Sequence, residues 1–118
     1  MHQKPLKPVD HGIIDYGFAA IQLGAPVLLG LNKKTTKLHQ LFGLKLLGMN
    51  ALTDTPAGIK PVISFKTHQK ADLAVLGSLT ALTAMKHIRN KRRSLIFHLA
   101  LIGLSAANYL LTDYKSRG

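Results

Sequence analysis

Residues 12–31 read GIIDYGFAAIQLGAPVLLGL and form the first of two long apolar runs in the chain. Asp15 and Tyr16 are its only ionisable side chains, and the run is about as long as a helix needs to cross ~30 Å of hydrocarbon. The second run, residues 94–112, reads SLIFHLALIGLSAANYLLT and carries no charge except what His98 holds. A surface helix of a small soluble bundle has a polar face. Because neither run shows one, both predict membrane-spanning helices.

Two shorter apolar segments bring the number of predicted helices to four. Residues 38–53 contain His39 and Lys45, and residues 71–85 follow a short basic stretch. Each helix is preceded by a polar side chain that could act as an N-cap: Asp10, Thr36, Thr67 and Ser94. We therefore expect helices at about residues 11–32, 37–54, 68–87 and 94–113 of one membrane domain, residues 1–118. The predicted fold class is all-α, a bundle of four transmembrane helices.

The polar residues repeat between the two halves of the chain. Each half contains a His–Asp pair spaced i,i+4, then a lone His, then a Thr-Asp dipeptide. These residues are His11, Asp15, His39, Thr53 and Asp54 in the first half and His68, Asp72, His98, Thr112 and Asp113 in the second. The chain has no Glu, and four of its five Asp lie at repeated positions. The pattern predicts two tandem two-helix repeats, about residues 9–58 and 66–118, related by a pseudo-two-fold axis along the membrane normal.

A two-helix repeat returns the chain to the side on which it began, so the repeated acids should gather at one membrane face. Imidazole and carboxylate groups are ligands of divalent metals, and the predicted ligand set is His11, Asp15, Asp54, His68, Asp72 and Asp113. Hydrogen bonding between helices explains the same residues without an ion and is the preferred interpretation; a proton-linked role is a third. His39 and His98, at equal depth on symmetric helices, could hold a haem iron. The preferred interpretation is that each packs near the inner interface and hydrogen-bonds a neighbouring helix. No particular cofactor is indicated.

Three elements of the sequence resemble a known family. They are HGIIDYG at residues 11–17, GAPVLLG at 24–30 and LTDTPAGIKPVISFKTHQKAD at 52–72, and they are similar to small bacterial four-helix membrane proteins with SPW-type repeats. The chain departs from that pattern at Val27, where the family tends to have Trp, at Thr55, and in the third helix, which lacks the Pro-containing motif. The resemblance implies the four-helix membrane fold and the repeat, and it implies no particular activity.

The charge of the chain indicates a phosphate-rich partner. Sixteen Lys and Arg against five Asp give a net charge of +11, which suits nucleic acid or anionic lipid. The most basic stretch, KHIRNKRR at residues 86–93, is one short loop without interleaved aromatic residues, so contact with lipid headgroups is the simpler explanation. Basic residues are densest in the loops at residues 33–37 and 86–93, which predicts that these loops are cytoplasmic. Both termini would then lie outside a bacterial inner membrane.

Three classes of function fit these observations. The preferred one is an accessory or scaffold subunit of a membrane assembly, whose partners are the bilayer and other membrane subunits or further copies of the chain. The second is a membrane protein that binds a cation, haem or protons through the His/Asp cluster. The third is a soluble basic helical protein that binds nucleic acid, although we expect no nucleic-acid partner. The chain lacks Cys, the H-E-x-x-H motif and a P-loop, so an enzyme assignment would rest on the His/Asp cluster alone.

Overall fold

The computed structural model describes residues 4–115, which form an all-helical protein, as predicted. Helices account for 73% of the structure, and no strand occurs within residues 4–115. The elements are α1 (Pro8–Leu28), α2 (Lys33–Ala51), α3 (Phe65–Leu82), the short α4 (Lys86–Arg89) and α5 (Arg92–Leu111). The outermost parts of the predicted domain and of the second repeat, residues 1–3 and 116–118, lie outside the described residues.

The helices begin earlier than predicted, and the predicted N-caps are wrong. Asn32 and Ser64 cap α2 and α3, each accepting a backbone N–H from the third residue of its helix, at 2.9 and 3.1 Å. Asp10 lies at the third helical position of α1, from which its carboxylate accepts the N–H of Lys7 at 2.9 Å. Asp10 therefore resembled a cap because it satisfies an unpaired N–H group at the start of the helix from within the first turn. Thr36 instead donates to the Leu31 carbonyl, and Ser94 accepts from the Asn32 amide.

The predicted third helix, residues 68–87, is divided in the structure. α3 ends at Leu82, and the chain turns before α4 begins at Lys86. Met85 between them has an extended backbone (φ −65°, ψ 136°), which is incompatible with a continuous helix. Ile88 of α4 is completely buried and fixes this turn against the rest of the protein.

α1 and α2 form a closely packed antiparallel hairpin. A Cβ atom on Gly43 would lie 3.1 Å from both the Ala19 carbonyl oxygen and the Gln22 Cβ, so a small residue is needed where the two helices approach. The connection between them turns at Gly30, whose φ of +65° lies in the left-handed region that glycine adopts without steric cost. α3 packs against α5 in the second half.

Two short backbone pairings join the halves of the chain. Leu6, before α1, pairs with Thr112 after α5, and Ile63, before α3, pairs with Thr53 after α2, in both cases in parallel orientation. The hydrogen bonds of the two pairings are 2.7–3.0 Å long. Leu6 and Ile63 are equivalent positions of the sequence repeat, as are Thr53 and Thr112. Each half therefore contacts the other in the same way, which is the arrangement expected of two-fold-related copies.

The distribution of polarity is the reverse of that in a soluble domain. The described core has five buried apolar residues, Phe18, Ala19, Leu79, Ile88 and Leu101. Twelve polar residues are buried: His11, Asp15, Gln22, Thr35, His39, Asn50, Thr53, His68, Ser94, His98, Asn108 and Thr112. Large apolar side chains face outward instead, including Ile13 (60% exposed), Leu28 (87%) and Leu110 (62%). In soluble proteins apolar residues fill the core and buried polar residues are the exception.

One helix within residues 4–115, Arg92–Leu111, is long and apolar enough to cross a membrane, and only 22% of its most apolar window is buried. The other three predicted membrane spans are not apolar enough to be counted with it. The mean hydropathy of α1 is lowered by where the helix lies along the chain, since it begins at Pro8 and ends at Leu28. The helix thereby includes Asp10 and His11 and leaves out the apolar residues 29–31.

Candidate metal centre

Two His–Asp pairs meet at the beginnings of α1 and α3. His11 and Asp15 project from one face of α1, and His68 and Asp72 project from one face of α3, because residues four apart lie on the same side of a helix. One ligand atom from each of the four side chains lies within 4.8 Å of the other three. Both imidazoles and Asp15 are buried, and the side chain of Asp72 is 13% exposed.

Each imidazole contacts both carboxylates. His11 Nε2 lies 3.1 Å from Asp15 Oδ2 and 2.9 Å from Asp72 Oδ2. His68 Nε2 lies 2.9 Å from Asp15 Oδ2 and 3.2 Å from Asp72 Oδ1. The four side chains are therefore one site shared by the two halves of the chain, and not two separate pairs.

Two threonines fix which nitrogen of each imidazole faces the site. His11 Nδ1 is 2.7 Å from Thr112 Oγ1, and His68 Nδ1 is 2.7 Å from Thr53 Oγ1. Each threonine hydroxyl donates its single hydrogen to the backbone carbonyl four residues earlier, at 2.6 Å for Thr53 and 2.5 Å for Thr112. Each Oγ1 must then accept a hydrogen from the imidazole. Both Nδ1 atoms therefore carry a proton, and both Nε2 atoms point into the cluster.

This tautomer requires positive charge at the centre of the site. An Nε2 without a proton presents a lone pair, and a lone pair facing two carboxylates at about 3 Å is repulsive. Two arrangements remove the repulsion: a proton on each Nε2, or a divalent cation that all four groups bind. Both balance the two negative carboxylates. The second is the arrangement found in metal sites, where the ligating histidine donates its other N–H to an oxygen.

The structure satisfies His68, whose Nε2 is hydrogen-bonded to Asp15 Oδ2 at 2.9 Å, but it does not satisfy His11 in the same way. The buried Nε2 of His11 has no hydrogen-bond partner within residues 4–115, although two carboxylate oxygens lie within 3.1 Å, because the ring N–H direction is not aligned with either oxygen. Tetrahedral ligands about 2.0–2.2 Å from a zinc ion lie about 3.3–3.6 Å from each other. The observed His–Asp separations of 2.9–3.2 Å need to widen by only a few tenths of an ångström to reach that range.

The carboxylates are held from outside the cluster by two further side chains. Asn108 Nδ2 donates to Asp15 Oδ1 at 3.1 Å, and the Tyr114 hydroxyl donates to Asp72 Oδ2 at 3.1 Å. Burial raises the pKa of Tyr114, and the nearby Asp72 carboxylate raises that pKa further, so the phenol stays protonated and can donate. The Tyr114 ring also stacks on Phe65, with centroids 5.0 Å apart. Both rings make edge-to-face contacts with the His11 ring.

Sequence reasoning found four of the residues at this site and assigned two more that lie elsewhere. Asp54 is exposed after α2, and Asp113 accepts the backbone N–H of Lys115; neither belongs to the group of four. In each Thr-Asp dipeptide the threonine, Thr53 or Thr112, faces the histidine. Neighbouring residues of a non-helical segment point to opposite sides, so the aspartate faces away.

The structure adds two residues to the site that the sequence did not single out, Asn108 and Tyr114. Asn108 lies four residues before Thr112, a spacing that could have placed both on one helix face. Tyr114 follows the end of α5 and has no equivalent in the first half, where Thr55 stands. Nothing in the repeat therefore pointed to it.

The second predicted site, His39 with His98, is a hydrogen-bonded chain. His98 Nε2 donates to the Leu79 carbonyl at 2.6 Å, so its Nδ1 accepts from His39 Nε2 at 3.1 Å. His39 Nδ1 in turn lies 3.5 Å from the Gln22 amide nitrogen. The two rings are buried, with centroids 5.1 Å apart. A haem iron between them would have to replace their direct hydrogen bond, and the arrangement is the hydrogen bonding between helices that was preferred from the sequence for these two histidines.

Comparison with protein-family models, with curated proteins and with solved structures found no match to this chain. The resemblance to SPW-type membrane proteins therefore stays a prediction, and the argument for function depends on the geometry of the site.

Proposed function

We propose that this chain is a small integral membrane protein of four long helices, in which α1 and α3 bind one divalent transition-metal ion through His11, Asp15, His68 and Asp72. The observation that supports it best is the pair of threonine hydrogen bonds, because they direct both Nε2 lone pairs at two carboxylates. Buried polar groups that only stabilise a fold normally end up with matched donors and acceptors. Here the match requires a cation or two additional protons.

The reversed polarity of the protein supports placement in a membrane. Outward-facing leucine and isoleucine side chains suit hydrocarbon, and the buried polar residues hydrogen-bond between helices, as membrane proteins require. The dense basic stretches at residues 33–37, in the first turns of α2, and at residues 86–93 favour a cytoplasmic position for that end of the helices. The metal centre, at the other ends of the helices, and both termini would then face outward from a bacterial inner membrane.

The ligand set favours a borderline metal. Two imidazoles and two carboxylates suit Zn²⁺, Fe²⁺ or Mn²⁺, and the chain has no thiolate that would favour Cu⁺. The ion would be neutralised by the two aspartates, which lowers its cost in a buried site. Since the ligands come from both repeats, binding would also stabilise the contact between the halves. The accessory-subunit role predicted from the sequence stays a prediction.

The test of the metal site compares single and double aspartate variants. Thermal unfolding in detergent is followed for the wild type, Asp15→Asn, Asp72→Asn and the double variant, each with added zinc and with a chelator. We expect the zinc-dependent rise in the unfolding temperature to vanish in either single variant and the second change to remove nothing more, because each half supplies half of one ligand set. Asp54→Asn, an exposed aspartate outside the cluster, is the control and should behave as the wild type. Zinc-independent, additive losses would contradict a shared ion.

The membrane placement is tested separately. The protein should stay with the membrane fraction during alkaline carbonate extraction, and tags at either terminus should be accessible only from the outer side. A tag in the connection between α1 and α2, residues 29–32, should be accessible only from the cytoplasm. Extraction into the soluble fraction, or termini on opposite sides, would contradict the proposed arrangement.

A further inference from the structure

A cavity of about 340 Å³ lies between the four long helices. Its walls are mainly apolar, with contributions from every long helix, among them Phe18 of α1, Phe42 of α2, Leu76 of α3 and Tyr109 of α5. Sites for small molecules are typically of about 300–1,000 Å³, apolar in most of their lining, with a few polar groups that orient the ligand. The size and lining of this cavity match that description at its small end.

The cavity adjoins the proposed metal centre. At one end, the cavity wall contains three residues of the cluster, His11, Asp15 and Asp72. At the other end, the wall contains Gln22 and Leu79, which contact His39 and His98. The cavity therefore occupies the space between the two polar groups of the protein interior.

Lys45 is the one lysine or arginine among the residues that line this cavity. Lys45 lies well inside α2. Its depth along the bundle follows from two contacts between α2 and α1: Asn50 donates to the Gly12 carbonyl, and His39 contacts Gln22. Lys45 falls between these contacts and is thus level with α1 residues just after Asp15. Its side chain is exposed and forms no ion pair within residues 4–115, and its equivalent in the second half is Leu104.

A lysine at this depth needs an explanation. Ionisable residues inside membrane helices are costly, and they usually mark a ligand or ion site. Extension of the long side chain to the headgroups explains the exposed ammonium alone. A ligand site also explains why this side chain lines an apolar cavity. Asp15 and Asp72 of the same wall face the two imidazoles of the cluster, whose protons or bound ion balance them, so Lys45 supplies the unbalanced charge of the cavity. One positive charge beside an apolar cavity is complementary to a ligand with one negative charge and an apolar body.

We propose that this cavity binds a single-chain amphiphile with a carboxylate head, a medium-chain fatty acid in chemical class. The carboxylate pairs with the Lys45 ammonium beside the cavity, and the chain lies among Phe18, Phe42, Leu76 and Leu79. A two-chain phospholipid would exceed the cavity, and the single cation matches a single negative charge. This inference depends on the membrane placement proposed above and does not require the metal ion.

The experiment uses the full chain in lipid vesicles and a photoreactive diazirine analogue of decanoic acid. Cross-linked peptides are located by mass spectrometry, with decanoate or decanol as competitor. Lys45→Met removes the charge and keeps the apolar stem, and Lys37→Met, at an exposed position of the same helix, is the matched control. Leu76→Trp fills the cavity and replaces no metal ligand.

We expect the wild type and Lys37→Met to be labelled on cavity-lining peptides, with decanoate competing at least about tenfold better than decanol. Labelling should fall about tenfold or more in Lys45→Met, the size expected for losing a charged hydrogen bond, and should be lost in Leu76→Trp. Equal labelling of the two lysine variants, equal competition by decanol, or labels confined to outward-facing leucines would overturn the proposal. Zinc binding is measured on the same samples. Labelling without zinc binding would contradict only the proposed metal centre, and zinc binding without labelling would contradict only the proposed cavity ligand.

Discussion

Replacing the threonines that orient the two histidines tests the site without touching any ligand. Thr53→Val and Thr112→Val keep the shape of the side chain and remove the oxygen that accepts from Nδ1 at 2.7 Å. In each variant a buried imidazole N–H loses its partner and the ring is free to adopt the other tautomer, in which Nε2 carries the proton and cannot bind a metal.

The size of the effect follows from the role of these hydrogen bonds. Loss of a partner that orients a metal-bound histidine typically lowers metal affinity by about 10- to 100-fold. Leaving one buried donor unsatisfied also costs about 1–3 kcal/mol of stability. Because the two threonines are equivalent, the two variants should be affected to a similar extent. Zinc affinity by competition with a chromophoric chelator and unfolding in detergent give the two quantities.

Thr80→Val is the matched control for these variants. Thr80 donates to the carbonyl four residues earlier, at 2.8 Å, as Thr53 and Thr112 do, but it is exposed and contacts no histidine. We expect its zinc affinity to equal that of the wild type. If Thr53→Val and Thr112→Val bind zinc as tightly as Thr80→Val, the threonines do not select the tautomer and the reasoning about the site is refuted.

Three further predictions concern the rest of the protein. His98→Leu should destabilise the protein by about 1–3 kcal/mol, because the Leu79 carbonyl and the His39 N–H lose their partners, while zinc affinity stays unchanged. Gly12→Ala should cost about 1–3 kcal/mol of stability by overpacking, since the added Cβ would lie 2.5 Å from the Ala57 Cβ; unchanged unfolding in detergent would contradict that packing. Zinc affinity should fall as the pH is lowered, since protons compete for both Nε2 atoms, and calorimetry should detect proton release on binding at acidic pH; a pH-independent affinity would argue against histidine ligands.

The sequence predicted the elements of this protein that depend on local spacing. The His11–Asp15 and His68–Asp72 pairs share a helix face because of their i,i+4 spacing, and the structure brings the two pairs together. The all-helical class followed from the apolar runs. These inferences needed only the period of a helix and the recurrence of one polar pattern in both halves.

The other features of the site and of the fold depend on tertiary contacts, which the spacing of residues along the sequence does not encode. Which residue of a Thr-Asp dipeptide faces the site is decided by the backbone after α2 and α5, where Leu6 and Ile63 pair with the chain. The contact of Tyr114 with Asp72 joins residues 42 positions apart in the sequence and occurs in one half only. The break between α3 and α4 likewise depends on the burial of Ile88, a tertiary effect.

The measurement that tests the metal centre most directly is X-ray absorption spectroscopy of the purified protein after titration with one equivalent of zinc. Two imidazole nitrogens and two carboxylate oxygens at about 2.0–2.2 Å are the predicted ligands, at one ion per chain. The imidazole scattering should be lost in a His11→Gln, His68→Gln double variant. An ion without imidazole ligands, or an identical spectrum in that double variant, would contradict the assignment of this site.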